Sequence, residues 1–113
     1  AVVDWQSCAF GCPLNDLSYF IGTSLRSELR SESEKKLLEI YLETLSEYNV
    51  NMEWVELWNL YRHYAPAGLV MAVIASMIVG ETARGNQMFL AMAKRSSKMM
   101  LELDSIDWIS SSR

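Results

Sequence analysis

Two cysteines, one histidine, two prolines and five glycines are all that this 113-residue chain has of the residues that most often build metal sites, disulfides and tight turns. Cys8 and Cys12 stand four apart, with no second Cys or His pair to complete a zinc set, and the single His63 is distant in sequence. They read as reduced thiols, which suits a cytoplasmic location. Basic residues are outnumbered by acidic ones, ten to fourteen, for a formal net charge of -4. That balance provides no basic field for nucleic acid or for an anionic membrane surface. The beginning, AVVDWQ, has no basic n-region or long apolar h-region, so no signal peptide is read, and without an initiator Met it reads as a cut inside a longer protein. The longest apolar run, Ala67 to Gly80, is about fourteen residues, short of the roughly eighteen a membrane-spanning helix needs. It reads as a buried helix at the centre of a core.

What the chain does have is hydrophobic content, half of its residues, enough to fill one helical core. Ala1-Val2-Val3 followed by Asp4-Trp5-Gln6 has the pattern of a short strand ending in polar residues. Gly11 and Pro13 then punctuate a loop, after which Asn15 or Asp16 is placed to cap a helix beginning DLSYFIGTSL. Ser31 and Glu34 form a capping-box pattern ahead of Leu37, Leu38, Tyr41, Leu42, Leu45 and Tyr48, with Glu39, Glu43 and Glu47 on the opposite, solvated face. Asn51 is the expected cap of the next helix, whose Trp54, Leu57, Trp58, Tyr61 and Tyr64 recur at three- and four-residue steps. Beyond Pro66 come the apolar helix, a polar connection at Gly80 to Asn86, a helix continuing to about Leu103, and a last turn at IDWI. These segments predict a mainly α fold with one short N-terminal strand, and a single strand needs partners from elsewhere.

Asp4 is the first candidate for chemistry. A carboxylate just after an apolar strand-like run can hold a hard cation with little reorganisation, although the same pattern also occurs at a strand end with a capped turn. Trp54, Trp58 and Tyr61 read as core packing before pocket lining, and Arg62, Arg84 and Arg95 as ion-pair partners before phosphate ligands.

Taken together, Val2-Val3-Asp4-Trp5-Gln6, Gly11, Pro13 and Asp16-Leu17-Ser18-Tyr19-Phe20 resemble the phosphotransferases of the aminoglycoside-phosphotransferase and ecdysteroid (CHK) kinase-like type. In that family a strand ends in an Asp-Trp-Gln or Asp-Phe-Gln motif, a Gly-containing loop follows, and an Asp-Leu-x-Tyr-Phe-Leu motif opens a C-lobe helix; here the last position is Ile21. Tyr61-Arg62, Val73-Ile74-Ala75-Ser76, Met88-Phe89 and Arg95 also look like CHK-type members. The resemblance implies that residues 1–113 are part of the C-lobe of a protein-kinase-like (α+β) domain, lacking the N-lobe and the catalytic loop. It implies ATP-dependent transfer of a phosphoryl group to a hydroxyl of a small molecule, with Asp4 as the ligand of Mg2+ on the nucleotide. Gln6 would order the metal loop or cap the strand. Asp16 would brace the catalytic segment as a helix cap or face the acceptor pocket. His63, followed by Tyr64 and Ala65, does not match the family's His-Gly-Asp loop, so the catalytic base has no position here and the chain alone is expected to be inactive. The partners implied are a hydroxylated acceptor and the missing N-terminal part of the same protein.

Two other readings stand beside this one: an independent helical interaction module, and an inactive kinase remnant. With an unpaired strand and a very apolar helix, the isolated chain is expected to expose core surface and to self-associate or to be helix-rich and molten.

Overall fold

A computed structural model describes residues 8–111, which form six helices. They are α1 (Leu14–Ser24), α2 (Ser27–Glu47), α3 (Trp54–Tyr64), α4 (Ala67–Ile78), α5 (Ala83–Glu102) and α6 (Ser105–Ser111). The expectation of an α+β lobe is corrected by this architecture: every regular element among the described residues is a helix, and there is no strand among them. The segment given to the strand, residues 1–6, lies outside the described residues.

Local chemistry explains the helix ends, and several differ from the sequence reading. Pro13 opens α1 with φ -65°, a backbone already helical and without an N–H to satisfy, so neither Asn15 nor Asp16 is its cap. Helix α2 begins at Ser27, four residues before the capping-box pattern, and Ser31 instead turns its hydroxyl to the Glu28 carbonyl at 3.0 Å. At its far end Asn49 adopts φ 59°, and the Asn49 and Val50 amides close back on the Ser46 and Leu45 carbonyls. Asparagine tolerates that left-handed conformation better than most residues and so stops the helix. Helix α3 starts at Trp54, not at Asn51. Thr82 is the true cap of α5, its Oγ1 accepting the Gly85 amide at 3.0 Å. Asp104, at φ 50°, turns the chain from α5 into α6.

The core is assembled from α1, α2, α3 and α5. Leu14, Ile21, Leu38, Leu57, Tyr61, Ala65, Met99 and Leu103 are buried together, with Trp54 and Trp58 packed at the margin. Helix α4 is not its centre, contrary to expectation. Only Gly68 and Ala72 of α4 are buried. The reason is steric: a Cβ at Gly68 would run into the Ser96 side chain and the Thr23 methyl, so the glycine lets α4 lie close against α1 and α5 through its smallest residues. Its large side chains point the other way.

Candidate functional site

The loop Cys8–Pro13, Asn15 and Asp16 at the start of α1, and Tyr64 at the end of α3 enclose a cleft of about 530 Å³. Its position follows from the helix boundaries. Pro13 starts α1 immediately after the loop, and α1 packs along α3, which brings Tyr64 beside the α1 N-terminus. Asp16 is exposed in the first turn of α1 and accepts a hydrogen bond from the Asn15 side chain at 3.4 Å. A carboxylate here faces the positive end of the helix dipole, a favourable placement in itself. Asp4 and Gln6 lie outside the described residues. Among the described residues no group of three or more His, Cys, Asp or Glu side chains is arranged to hold a metal ion.

A second constellation was not anticipated. Arg30 and Glu34 are both buried on α2, and the guanidinium donates to Glu34 Oε2 and, from its other arm, to Glu102 Oε2 on α5. The Tyr61 hydroxyl donates to the same Glu34 oxygen at 2.9 Å. Burial, reinforced by the Glu34 carboxylate, pushes the Tyr61 phenol far above its ordinary range, so it is neutral and a donor at any physiological pH. The Arg30 Nε is buried without a hydrogen-bond partner among the described residues. Chemically this is a brace joining α2, α3 and α5. It was visible only as Arg30 and Glu34 four apart, and a helix started at Ser31 left Arg30 outside it.

The remaining candidates take structural places. Trp54 stacks on Trp58 at 5.9 Å, Trp58 meets Tyr61 at 5.7 Å, and Lys35 lies over the Trp58 ring. None of these three rings lines the cleft. Arg62 donates from Nε to the Leu103 carbonyl at 2.7 Å and covers the Trp108 ring, tying α3 to the α5–α6 turn. Arg95 donates to the Thr23 carbonyl at 2.8 Å, satisfying the C-terminal end of α1. His63 is exposed and makes an edge contact with Tyr64.

The model of the ecdysteroid kinase-like family matches residues 1–53, just under half of the chain. That span contains Asp4, Gln6 and Asp16, the cleft loop, α1 and α2, and it ends at the residue before α3. Tyr61-Arg62, Val73 to Ser76, Met88-Phe89 and Arg95 lie beyond the matched span. No curated protein and no solved structure matches the chain.

Proposed function

We infer that the chain is part of an ATP-dependent phosphotransferase that phosphorylates a hydroxyl of a small molecule. One observation carries this reading: the family match covers the segment in which Asp4-Trp5-Gln6, the Gly11–Pro13 loop and Asp16 to Phe20 follow one another in the family's order. Phosphoryl transfer is mostly positioning and charge neutralisation, so a carboxylate that ties Mg2+ on the β- and γ-phosphates to the protein supplies a large share of the catalysis. Asp4 has that role in the proposal, and Gln6 helps to order the loop that carries it. Asp16, on the rim of the cleft, is either a brace at the start of α1 or a contact for the acceptor hydroxyl. The nucleotide-binding lobe and the catalytic base belong to the rest of the same protein, and a cytoplasmic location completes the reading. Among the described residues no helix is long and apolar enough to cross a membrane.

Turnover of Mg-ATP against a panel of hydroxylated small molecules, in a polypeptide that includes this chain with its natural upstream sequence, tests the proposal. Asp4→Asn is expected to lower kcat by about a hundredfold or more. Asp16→Asn is expected to raise the acceptor KM if Asp16 meets the acceptor, and to change only stability if it is a brace. Intact turnover in Asp4→Asn would remove the magnesium role. A second reading, a helical interaction module, is favoured by a separate observation, the apolar outer face of α4.

A further inference from the structure

Both cysteines of the chain lie on the loop that leads into α1, and both line the cleft. Their surroundings differ. Cys12 is half-buried and packs against the core cluster, and its carbonyl accepts the Asn15 amide at 3.1 Å, so the first turn of α1 fixes its place. Cys8 is exposed. Midway between them the backbone bends at Phe10. The Phe10 side chain is fully exposed, and a Cβ on Gly11 would meet nothing within 4 Å, so the tip of the loop is unpacked within the chain. A disulfide needs Cα atoms about 4.4–6.8 Å apart. Residues four apart on an extended strand are separated by about 13 Å, beyond that reach, whereas a bent loop with an unpacked tip can bring them within it.

We propose that Cys8 and Cys12 form a reversible disulfide that contracts the cleft loop, a redox switch at the start of α1. The oxidant is a low-molecular-weight disulfide of the glutathione class. The exposed Cys8 thiolate attacks one of its sulfurs and releases one thiol, which leaves a mixed disulfide; the Cys12 thiolate then attacks Cys8 Sγ and releases the second. The two protein thiols are oxidised, the small disulfide is reduced to two thiols, and the protons of the cysteines pass to the leaving sulfurs. An excess of the reduced thiol reverses the exchange. Both partners lie on one short loop, so their pairing does not depend on what the rest of a longer protein covers. Cys8 follows Asp4 by four residues and Cys12 precedes Leu14 by two, so the disulfide shortens the connection between the proposed magnesium ligand and α1. That consequence for turnover rests on the phosphotransferase reading; the disulfide itself does not.

The test equilibrates a polypeptide that includes the natural upstream sequence in glutathione buffers from fully reduced to fully oxidised, and blocks free thiols before digestion. Trypsin releases both cysteines on one peptide ending at Arg26, so mass spectrometry reads the disulfide as that peptide unblocked at both positions and lighter by two hydrogens. Amide resonances of Asn15, Asp16 and Tyr64 read the cleft in the same samples. The disulfide is expected to form in the oxidised buffers, to be removed by dithiothreitol, and to shift the cleft amides as it forms. Cys12→Ser should stop at a mixed disulfide on Cys8, the trapped intermediate. Oxidation should lower turnover about tenfold or more in wild type, and leave Cys8→Ser equal to its own reduced form. Cysteines that stay reduced, stop at the mixed disulfide or pair with cysteines elsewhere in the polypeptide overturn the proposal, as does a disulfide that forms with the cleft amides unmoved. A polypeptide without turnover in either redox state counts against the phosphotransferase reading alone, because mass and resonances still decide the switch.

Discussion

The junction of α2, α3 and α5 and the outer face of α4 solve opposite problems. At the junction an arginine, a glutamate and a tyrosine are taken out of water and must satisfy one another. On α4 large aliphatic side chains are left in water although nothing polar requires it. The contrast shows that composition alone does not say which way a residue faces. A charged pair is buried where both guanidinium arms and the shared carboxylate oxygen find partners, and an apolar helix is exposed where its small residues make the tighter contact.

Substitutions can break this contrast, and the largest effect should come from the brace. Arg30→Ala leaves Glu34 buried beside only the Tyr61 hydroxyl, and is expected to lower stability by about 3–5 kcal/mol. Chemical denaturation monitored by circular dichroism measures it, and a change within experimental scatter would mean that the guanidinium is not held as described. Next in size is Gly68→Val, which forces α4 away from Ser96 and Thr23 and is expected to cost about 1–3 kcal/mol. By contrast, Val70→Ala on the outer face of the same helix should stay within about 0.5 kcal/mol for the monomer. Equal costs for the two would erase the distinction between the faces.

Alkaline titration sharpens the same comparison. The Tyr61 phenol is raised above its ordinary value of 10.0 in the folded chain, chiefly by burial. The folded state therefore keeps a proton that the unfolded state loses. Its contribution to stability is complete below about pH 10 and is lost as pH rises above that value. Tyr61→Phe should accordingly cost about 1 kcal/mol at neutral pH and flatten the fall in stability above pH 10. An unchanged alkaline slope would show that Tyr61 is not the group responsible. The smallest expected effect belongs to Ser96→Ala. Its buried hydroxyl has no hydrogen-bond partner among the described residues, so removing it should be neutral or slightly stabilising in the same denaturation experiment.

Periodicity located the core face of α3, because Leu57 and Tyr61 recur at helical steps and are buried, whereas Leu14, read as loop, is the buried first residue of α1. It failed where two signals competed. The Ser31–Glu34 pattern imitates a capping box inside a helix that already runs from Ser27, and that misplaced boundary hid the Arg30–Glu34 pair. The run from Ala67 to Gly80 is apolar on every side, which leaves its orientation unspecified; only the close approach at Gly68 decides it. Asn49 and Asp104 stop helices through left-handed backbone, a property their residue types permit without announcing. Of the candidate site, the Gly11–Pro13 loop and the start of α1 were legible from punctuation, whereas the meeting of Tyr64 with that loop depends on the packing of α3 along α1. The N-terminal strand was read from the apolar run at residues 1–3, which lies outside the described residues, and the α+β class came from the resemblance; the described residues are helical wherever they are regular.

In the proposed function Asp4, within the matched segment, holds the magnesium–nucleotide complex. Paramagnetic broadening of amide resonances by Mn2+–ATP, measured on a polypeptide that includes the natural upstream sequence, tests it most directly. Broadening is expected to reach the cleft loop and the start of α1, and to be lost in Asp4→Asn with the fold intact. Equal broadening in wild type and Asp4→Asn, or none around the cleft in either, would contradict it.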